Sequence, residues 1–144
     1  MNLPFRGRLR GLPGILILTA TLTGCEGLFD TSPNRADSAQ ILVTGQSPVP
    51  LQLILSNQFL NVPDPSTGQI LTSLVVADTF DLQLPIDQEY PMGSSARIFV
   101  RLIQPDSMQE ANVTMRVLLD GKREVYEQQA RLRNAFLEYT FTYQ

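Results

Sequence analysis

Few side chains in this chain of 144 residues are suited to chemistry, because it has one cysteine and no histidine. Histidine is the side chain best suited to proton transfer at neutral pH, and it is the commonest neutral metal ligand. Without it, Ser-His-Asp and Cys-His catalytic groups and the usual zinc sites cannot form within the chain. A single cysteine also excludes an internal disulfide framework. We therefore expect a protein that is not an enzyme and that holds no metal or cofactor.

Four carboxylates lie close together in the sequence, at Asp78, Asp81, Asp87 and Glu89. Calcium takes six to eight oxygen ligands, often from such a segment, but this spacing fits no calcium-loop motif. A carboxylate pair for glycoside hydrolysis needs a cleft between the two groups, and the sequence marks no such pair. We interpret these four acids as solvated surface charge.

Arginine and aromatic side chains give the best candidate for a binding surface. Arg97, Phe99, Arg101 and Ile103 alternate along one stretch, so a strand places all four on one face. Protein interfaces are enriched in arginine and aromatic residues, and we predict that this face contacts a protein partner. The alternative is a central strand with both faces covered.

The tyrosines suggest a second kind of surface, an aromatic platform of the type that binds sugars. Tyr139 and Tyr143 share a strand face with Leu137 and Phe141. Because that face is apolar throughout, packing inside the sheet is the favoured interpretation.

The first 24 residues have the layout of an export signal. Arg6, Arg8 and Arg10 precede a short apolar run, from Leu12 to Leu22, which small residues follow. The run is too short for a membrane-spanning helix, which needs about 20 apolar residues. A basic start before such a run is typical of a secretory signal peptide, here expected to form a helix.

Leu22-Thr23-Gly24-Cys25 resembles the lipobox of bacterial lipoproteins. In that class the chain is cut before the cysteine, which carries a thioether-linked diacylglycerol and usually an N-acyl chain, such as palmitate. The resemblance implies that residues 1–24 are removed and that Cys25 is lipidated, and two or three acyl chains anchor a protein stably. A buried cysteine in a cytosolic protein and a plain cleaved signal are the alternatives, but the second leaves an unpaired thiol in an oxidising compartment.

The resemblance also implies a location in the cell envelope. In enteric lipoproteins an aspartate after the cysteine favours the inner membrane, whereas Glu26 stands there in this chain. The outer membrane, facing the periplasm or the surface, is therefore the expected location. Residues 25–38 lack helix and strand periodicity and are rich in turn-forming types, which indicates a lipidated tether. The expected partners are the membrane and other envelope proteins. All 14 acidic residues follow Cys25, which argues against nucleic acid as a partner.

Residues 39–144 alternate between apolar and polar side chains with a period of two, which is typical of half-buried strands. Ile70 to Val76 is a more continuous apolar run and indicates a central strand. Asp120-Gly121 predicts a type I′ hairpin turn, in which both central residues need positive φ. Arg133-Asn134 predicts the next reversal, which makes the last three strands a meander. The stretch from Pro85 to Ser94 has the composition of a loop.

Seven or eight short strands with no long helix predict an all-β fold. An antiparallel immunoglobulin-like β-sandwich is favoured, and a small antiparallel β-barrel is the alternative. The Trp and second Cys of the immunoglobulin core are missing, so the likeness is one of architecture. We expect a membrane-anchored envelope lipoprotein that acts as a non-enzymatic structural or protein-interaction module. A lipoprotein module that binds carbohydrate or lipid is the alternative.

Overall fold

The computed structural model describes residues 35–143, and the predicted signal peptide helix, the lipobox and most of the tether lie outside them. The described part contains eight β-strands and no helix. In chain order the strands are β1 (Ser38–Gln46), β2 (Leu51–Pro63), β3 (Ile70–Leu82), β4 (Ile86–Pro91), β5 (Arg97–Gln104), β6 (Ala111–Leu119), β7 (Arg123–Leu132) and β8 (Ala135–Thr142).

The strands form two separate four-stranded sheets in which every pairing is antiparallel. Sheet A has the order β4-β1-β6-β7, and sheet B has the order β3-β2-β5-β8. Two such sheets enclosing one apolar core are a β-sandwich. This confirms the all-β sandwich that the alternation predicts.

The core lies between the sheets and is built from alternate residues of the strands. In β2, for example, Leu51, Leu53 and Leu55 are each 0% exposed, whereas Gln52 and Ile54 between them are half-buried. Burying one such aliphatic side chain contributes about 1.5–3 kcal/mol. The same period recurs in β1, β5 and β6, whose fully buried, core-facing side chains include Ile41, Val43, Ile98, Val100, Leu102, Met115 and Val117.

The turn between β6 and β7 has the predicted geometry. Asp120 and Gly121 have φ values of 49° and 63°, and the Lys122 N–H donates to the Leu119 carbonyl at 3.0 Å. Positive φ at both central positions is the type I′ arrangement. The Asp120 carboxylate also accepts the backbone N–H groups of Asp37 at 2.9 Å and Ser38 at 3.1 Å. This turn therefore also fixes the start of β1.

The predicted meander of the last three strands is wrong. β7 pairs with β6 in sheet A, but β8 pairs with β5 in sheet B. The chain crosses between the layers at Asn134, which has a φ of 45° and donates its N–H to the Asp106 carbonyl at 3.1 Å. Because of this crossing, β8 belongs to sheet B, and its apolar face, with Leu137 and Phe141, packs against the core.

Two further segments differ from their sequence-based assignments. The stretch predicted as a loop contains β4, an edge strand that pairs with β1. The composition of β4 resembles that of a loop because an edge strand can keep charged side chains in solvent. The run from Ile70 to Val76 belongs to β3, which is an edge strand and not a central one.

Candidate interaction surfaces

The predicted lipidation site lies outside the described residues. Leu22, Thr23, Gly24 and Cys25 all precede residue 35, where the described part begins. Lipidation of Cys25 therefore stays a prediction from the sequence. Within the described part, the chain joins the core early, since Ala36 is only 2% exposed.

The predicted face of β5 exists, because alternation directs Arg97, Phe99, Arg101 and Ile103 away from the core residues Ile98, Val100 and Leu102. However, β5 is a central strand of sheet B, between β2 and β8. Phe99 is 0% exposed, and its ring centroid lies 6.2 Å from that of Phe59. The aromatic part of the face is therefore already covered by the protein itself.

The two arginines of this face are engaged by neighbouring strands. Arg97 donates from Nε to the Asn57 carbonyl at 3.1 Å, and its guanidinium lies 4.8 Å from the Phe59 ring centroid. Arg101 forms an ion pair with Glu138 on β8, with Nε 2.8 Å from Oε2. A surface whose charged groups already have partners offers a second protein fewer contacts. Partner binding by this face stays a prediction.

A second surface, which the sequence did not mark, is the outer half of the β2–β3 hairpin. We call residues 57–77 the arm, and residues 51–55 with 78–82 the proximal half. The pairing of β5 with β2 ends at Ser56, whereas the pairing of β2 with β3 continues to Pro63. In the part of the chain that the structure describes, the arm is therefore a ribbon of two strands that extends past the four-stranded sheet.

The arm carries most of the exposed large apolar side chains of the described domain. Leu60 is 55% exposed, Leu71 53% and Val75 61%. Three more of comparable exposure are Val62, Ile70 and Val76. Because so many exposed apolar side chains lie on one short segment, the arm is a candidate interaction surface.

An irregularity in the ladder positions the arm. The pairing register of β2 and β3 shifts between Leu55 and Phe59. Ser56 lies at this point and is fully buried; its hydroxyl accepts the Gln58 N–H at 3.0 Å and bonds the Val76 carbonyl. Such a β-bulge changes the face of the sheet to which the following side chains point. As a result Phe59 packs on Phe99, on the outer side of sheet B.

The position of Phe59 assigns the two faces of the arm. Asn61 lies on the same side as Phe59, and its amide oxygen accepts the Thr72 hydroxyl at 3.1 Å. Alternation then directs Leu60 and Val62 to the opposite side, which is the side that faces sheet A in the proximal half. Leu71 is directly opposite Val62 in the ladder. The core-facing side of sheet B thus continues into the arm, where no strand of sheet A pairs or covers it among the described residues.

The tip of the arm is polar. The Asp64 carboxylate accepts the Ser66 hydroxyl at 2.6 Å and the Ser66 N–H at 2.8 Å. Both hydrogen bonds lower the pKa of Asp64, and the bond from the Ser66 hydroxyl has the larger effect. A charged carboxylate therefore lies at the tip of the ribbon.

A third surface feature is a basic pocket of about 300 Å³ at the start of β1. Arg35, Lys122 and Arg123 line it together with Asp120 and Tyr143. Arg35 donates to the Gly93 and Ser94 carbonyls, and Arg123 donates to the Tyr143 hydroxyl. Sequence analysis missed this cluster because Arg35 is far from the other two cations in the chain.

The four carboxylates that are close in sequence do not converge on one point. Asp87 accepts the Gln40 amide at 2.7 Å, and Glu89 accepts the Ser38 hydroxyl at 2.7 Å. Asp78 accepts the Tyr90 hydroxyl at 2.7 Å, which links β3 of sheet B to β4 of sheet A. Within residues 35–143, no three Asp, Glu, Cys or His side chains are placed to hold a metal ion.

The tyrosines pack on the core, as the sequence analysis favoured. Tyr126 of β7 and Tyr139 of β8 join the two sheets, with ring centroids 4.4 Å apart. Burial raises the pKa of both phenols above the usual value. The Tyr139 hydroxyl donates to the Val125 carbonyl at 3.2 Å. These rings therefore close one side of the sandwich and form no open platform.

Comparison with known proteins gives no relative: no protein-family model, no curated protein and no solved structure matches this chain. Over the described residues, no helix has the length and apolar character needed to cross a membrane.

Proposed function

We propose that this protein is a membrane-anchored lipoprotein of the cell envelope that acts as a non-enzymatic protein-interaction module. The lipobox supports the anchor, because the only cysteine of the chain stands at its last position. The lack of histidine supports a non-enzymatic role. Glu26 after the cysteine favours the outer membrane.

The arm is the observation that carries the interaction role. It leaves six aliphatic side chains about half exposed or more on a ribbon that has only two strands. A two-stranded hairpin is marginally stable by itself in water. A protein partner that covers its apolar face would remove that surface from water, and each Å² of apolar surface buried contributes about 25 cal/mol of favourable free energy.

The anchor is tested by growing cells that express the full chain with labelled palmitate. The wild-type protein incorporates the label and fractionates with membranes, whereas Cys25→Ser does neither. The single change leaves the strands intact, since Cys25 lies outside the described residues, which begin at residue 35. Equal labelling of both chains, or no labelling of either, contradicts the proposed anchor.

A second candidate function, binding of a small anionic ligand such as a phosphorylated sugar or lipid headgroup, is favoured by the basic pocket. Three cations line one cavity of about 300 Å³ in a chain whose net charge is −3. Charge-assisted hydrogen bonds of this kind recognise phosphate. Calorimetric titration of the full chain with inorganic phosphate tests this function. Saturable binding that Arg123→Gln abolishes and Arg131→Gln preserves supports it; no binding by the wild type refutes it.

A further inference from the structure

The arm is the one place where the apolar face of a sheet in the described domain continues beyond its covering layer. In the proximal half, Leu53 and Leu55 face sheet A and are 0% exposed. In the arm, Leu60 and Val62 point to the same side and are 55% and 48% exposed. The missing feature is a second apolar layer, which in sheet packing lies about 10 Å away.

The chemistry of the arm limits what that layer can be. A lipid bilayer is a poor fit, because the strands of an open ribbon leave backbone N–H and C=O groups unpaired in hydrocarbon. The tip is also unsuited to lipid, since Asp64 is charged and bonded to Ser66. A protein layer with matching aliphatic side chains and its own polar backbone groups meets both requirements.

The lack of charge on the arm strands allows a second copy of this chain to be that layer. Two copies that meet about a two-fold axis bring the same surface of each together, so any charge at the centre would oppose a like charge. The residues of the arm strands, 57–63 and 69–77, include no Asp, Glu, Lys or Arg. Apart from Asp64 at its tip, the charged residues of the described domain lie outside the arm, where a two-fold contact could bring like charges together.

The other outer strands carry charges, which a two-fold contact would bring close to like charges. β4 carries Asp87 and Glu89, and β8 carries Glu138. β7 carries four charged residues along its length, at Arg123, Glu124, Glu127 and Arg131, and Arg133 follows it. On β3, Asp78 and Asp81 lie in the proximal half, so the part of β3 that belongs to the arm has no charged side chain.

We infer that the arms of two copies pack face to face about a two-fold axis, so that Leu60, Val62 and Leu71 of one copy cover those of the other. This inference rests on the proposed function, because it names the partner of the arm. The exposed aliphatic side chains on this one face leave on the order of 300 Å² per copy for the contact, less than the roughly 800 Å² per partner of a standard interface, so the dimer is a weak one. Such a dimer needs the high effective concentration that a shared membrane provides.

The test uses a bifunctional maleimide with a spacer of about 10 Å, matched to the distance between packed sheets, on membranes that contain the full chain. A lipidated Cys25 has no free thiol, so Val62→Cys introduces the only reactive one. The matched control is Phe136→Cys on β8, since Phe136 is 56% exposed and lies outside the arm. We expect Val62→Cys to form at least tenfold more crosslinked dimer than Phe136→Cys. Adding Leu71→Lys to Val62→Cys should reduce that dimer about tenfold, with the thermal unfolding midpoint kept.

Each other outcome contradicts a different statement. Reaction of the wild-type chain with maleimide means that Cys25 is not lipidated, and it overturns the anchor. An unreactive wild type with only monomer from Val62→Cys, or with equal dimer from both variants, overturns the self-association. A crosslinked product that contains a different protein also overturns self-association but leaves the arm as an interaction surface.

Discussion

The proximal half and the arm of the β2–β3 hairpin consist of the same two strands but differ in what covers them. In the proximal half, Leu51, Leu53 and Leu55 are fully buried beneath sheet A. In the arm, Leu60 and Val62 continue the same side of the sheet and are about half exposed. The residue types are alike, so the presence of a second layer, and not the strand sequence, decides whether a face becomes core or surface.

The largest expected effect separates the two halves directly. Leu53→Ala leaves a cavity in the core and should lower the free energy of unfolding by about 2–5 kcal/mol. Leu60→Ala removes the same atoms from an exposed site and should lower it by less than about 1 kcal/mol. Urea unfolding of both variants measures the difference. Equal losses would mean that the arm is as well packed as the proximal half.

The boundary between the halves depends on Ser56, and its hydroxyl gives the second prediction. Ser56→Ala removes the acceptor of the Gln58 N–H and a partner of the Val76 carbonyl. Losing a hydrogen bond costs about 0.5–1.5 kcal/mol, so the loss of these two part-buried bonds should lower the free energy of unfolding by about 1–3 kcal/mol. Ser73→Ala, at an exposed serine of the arm, is the control and should change it by less than about 0.5 kcal/mol. If the two variants match, the bulge is not held by the Ser56 side chain.

The smallest expected effect on stability concerns a hydrogen bond beside the arm, in which the Tyr90 hydroxyl donates to Asp78 at 2.7 Å. We call this hydrogen bond the clamp. Burial first, and then the hydrogen bond and charge of Asp78, raise the pKa of Tyr90 from 10.0 to about 12. A raised pKa means that the folded state holds the proton more tightly than the unfolded chain. The clamp therefore contributes fully below pH 10, and its contribution is lost as the pH rises towards 12.

The measurement for this clamp is the stability difference between the wild type and Tyr90→Phe. At pH 8 the wild type should be more stable by about 1 kcal/mol or less, because the pair is partly solvated. Above pH 11 that difference should shrink. A difference that is constant or grows with pH would show that the hydrogen bond does not stabilise the fold.

The fold class could be predicted because alternation with a period of two reports burial on one face, and most strands of a sandwich have that environment. The Asp120-Gly121 turn was equally predictable, since few residue pairs accept positive φ at both positions. β4 was missed because Asp87 and Glu89, on an exposed edge, resemble loop residues. The crossing from β7 to β8 was missed because a reversal at Asn134 specifies a turn but not the sheet that the chain joins next.

The surfaces were less predictable than the fold, for a physical reason. Alternation correctly placed Arg97, Phe99, Arg101 and Ile103 on one face, but the partners of those groups are on β2 and β8, far away in the sequence. The run from Ile70 to Val76 predicts a central strand, although it belongs to an edge strand and most of it is exposed. An apolar run has the same appearance whether its cover is the chain itself or another molecule.

The most direct test of the account is whether the arm is covered in the native membrane. Membranes that contain Val62→Cys or Phe136→Cys are exposed to a water-soluble monofunctional maleimide, and the rates of labelling are compared with those of the same chains unfolded in urea. The account predicts that the thiol at position 62 reacts at least tenfold more slowly in native membranes than the thiol at position 136, and that the two react equally fast once unfolded. Equal, rapid labelling at both positions in native membranes would contradict it.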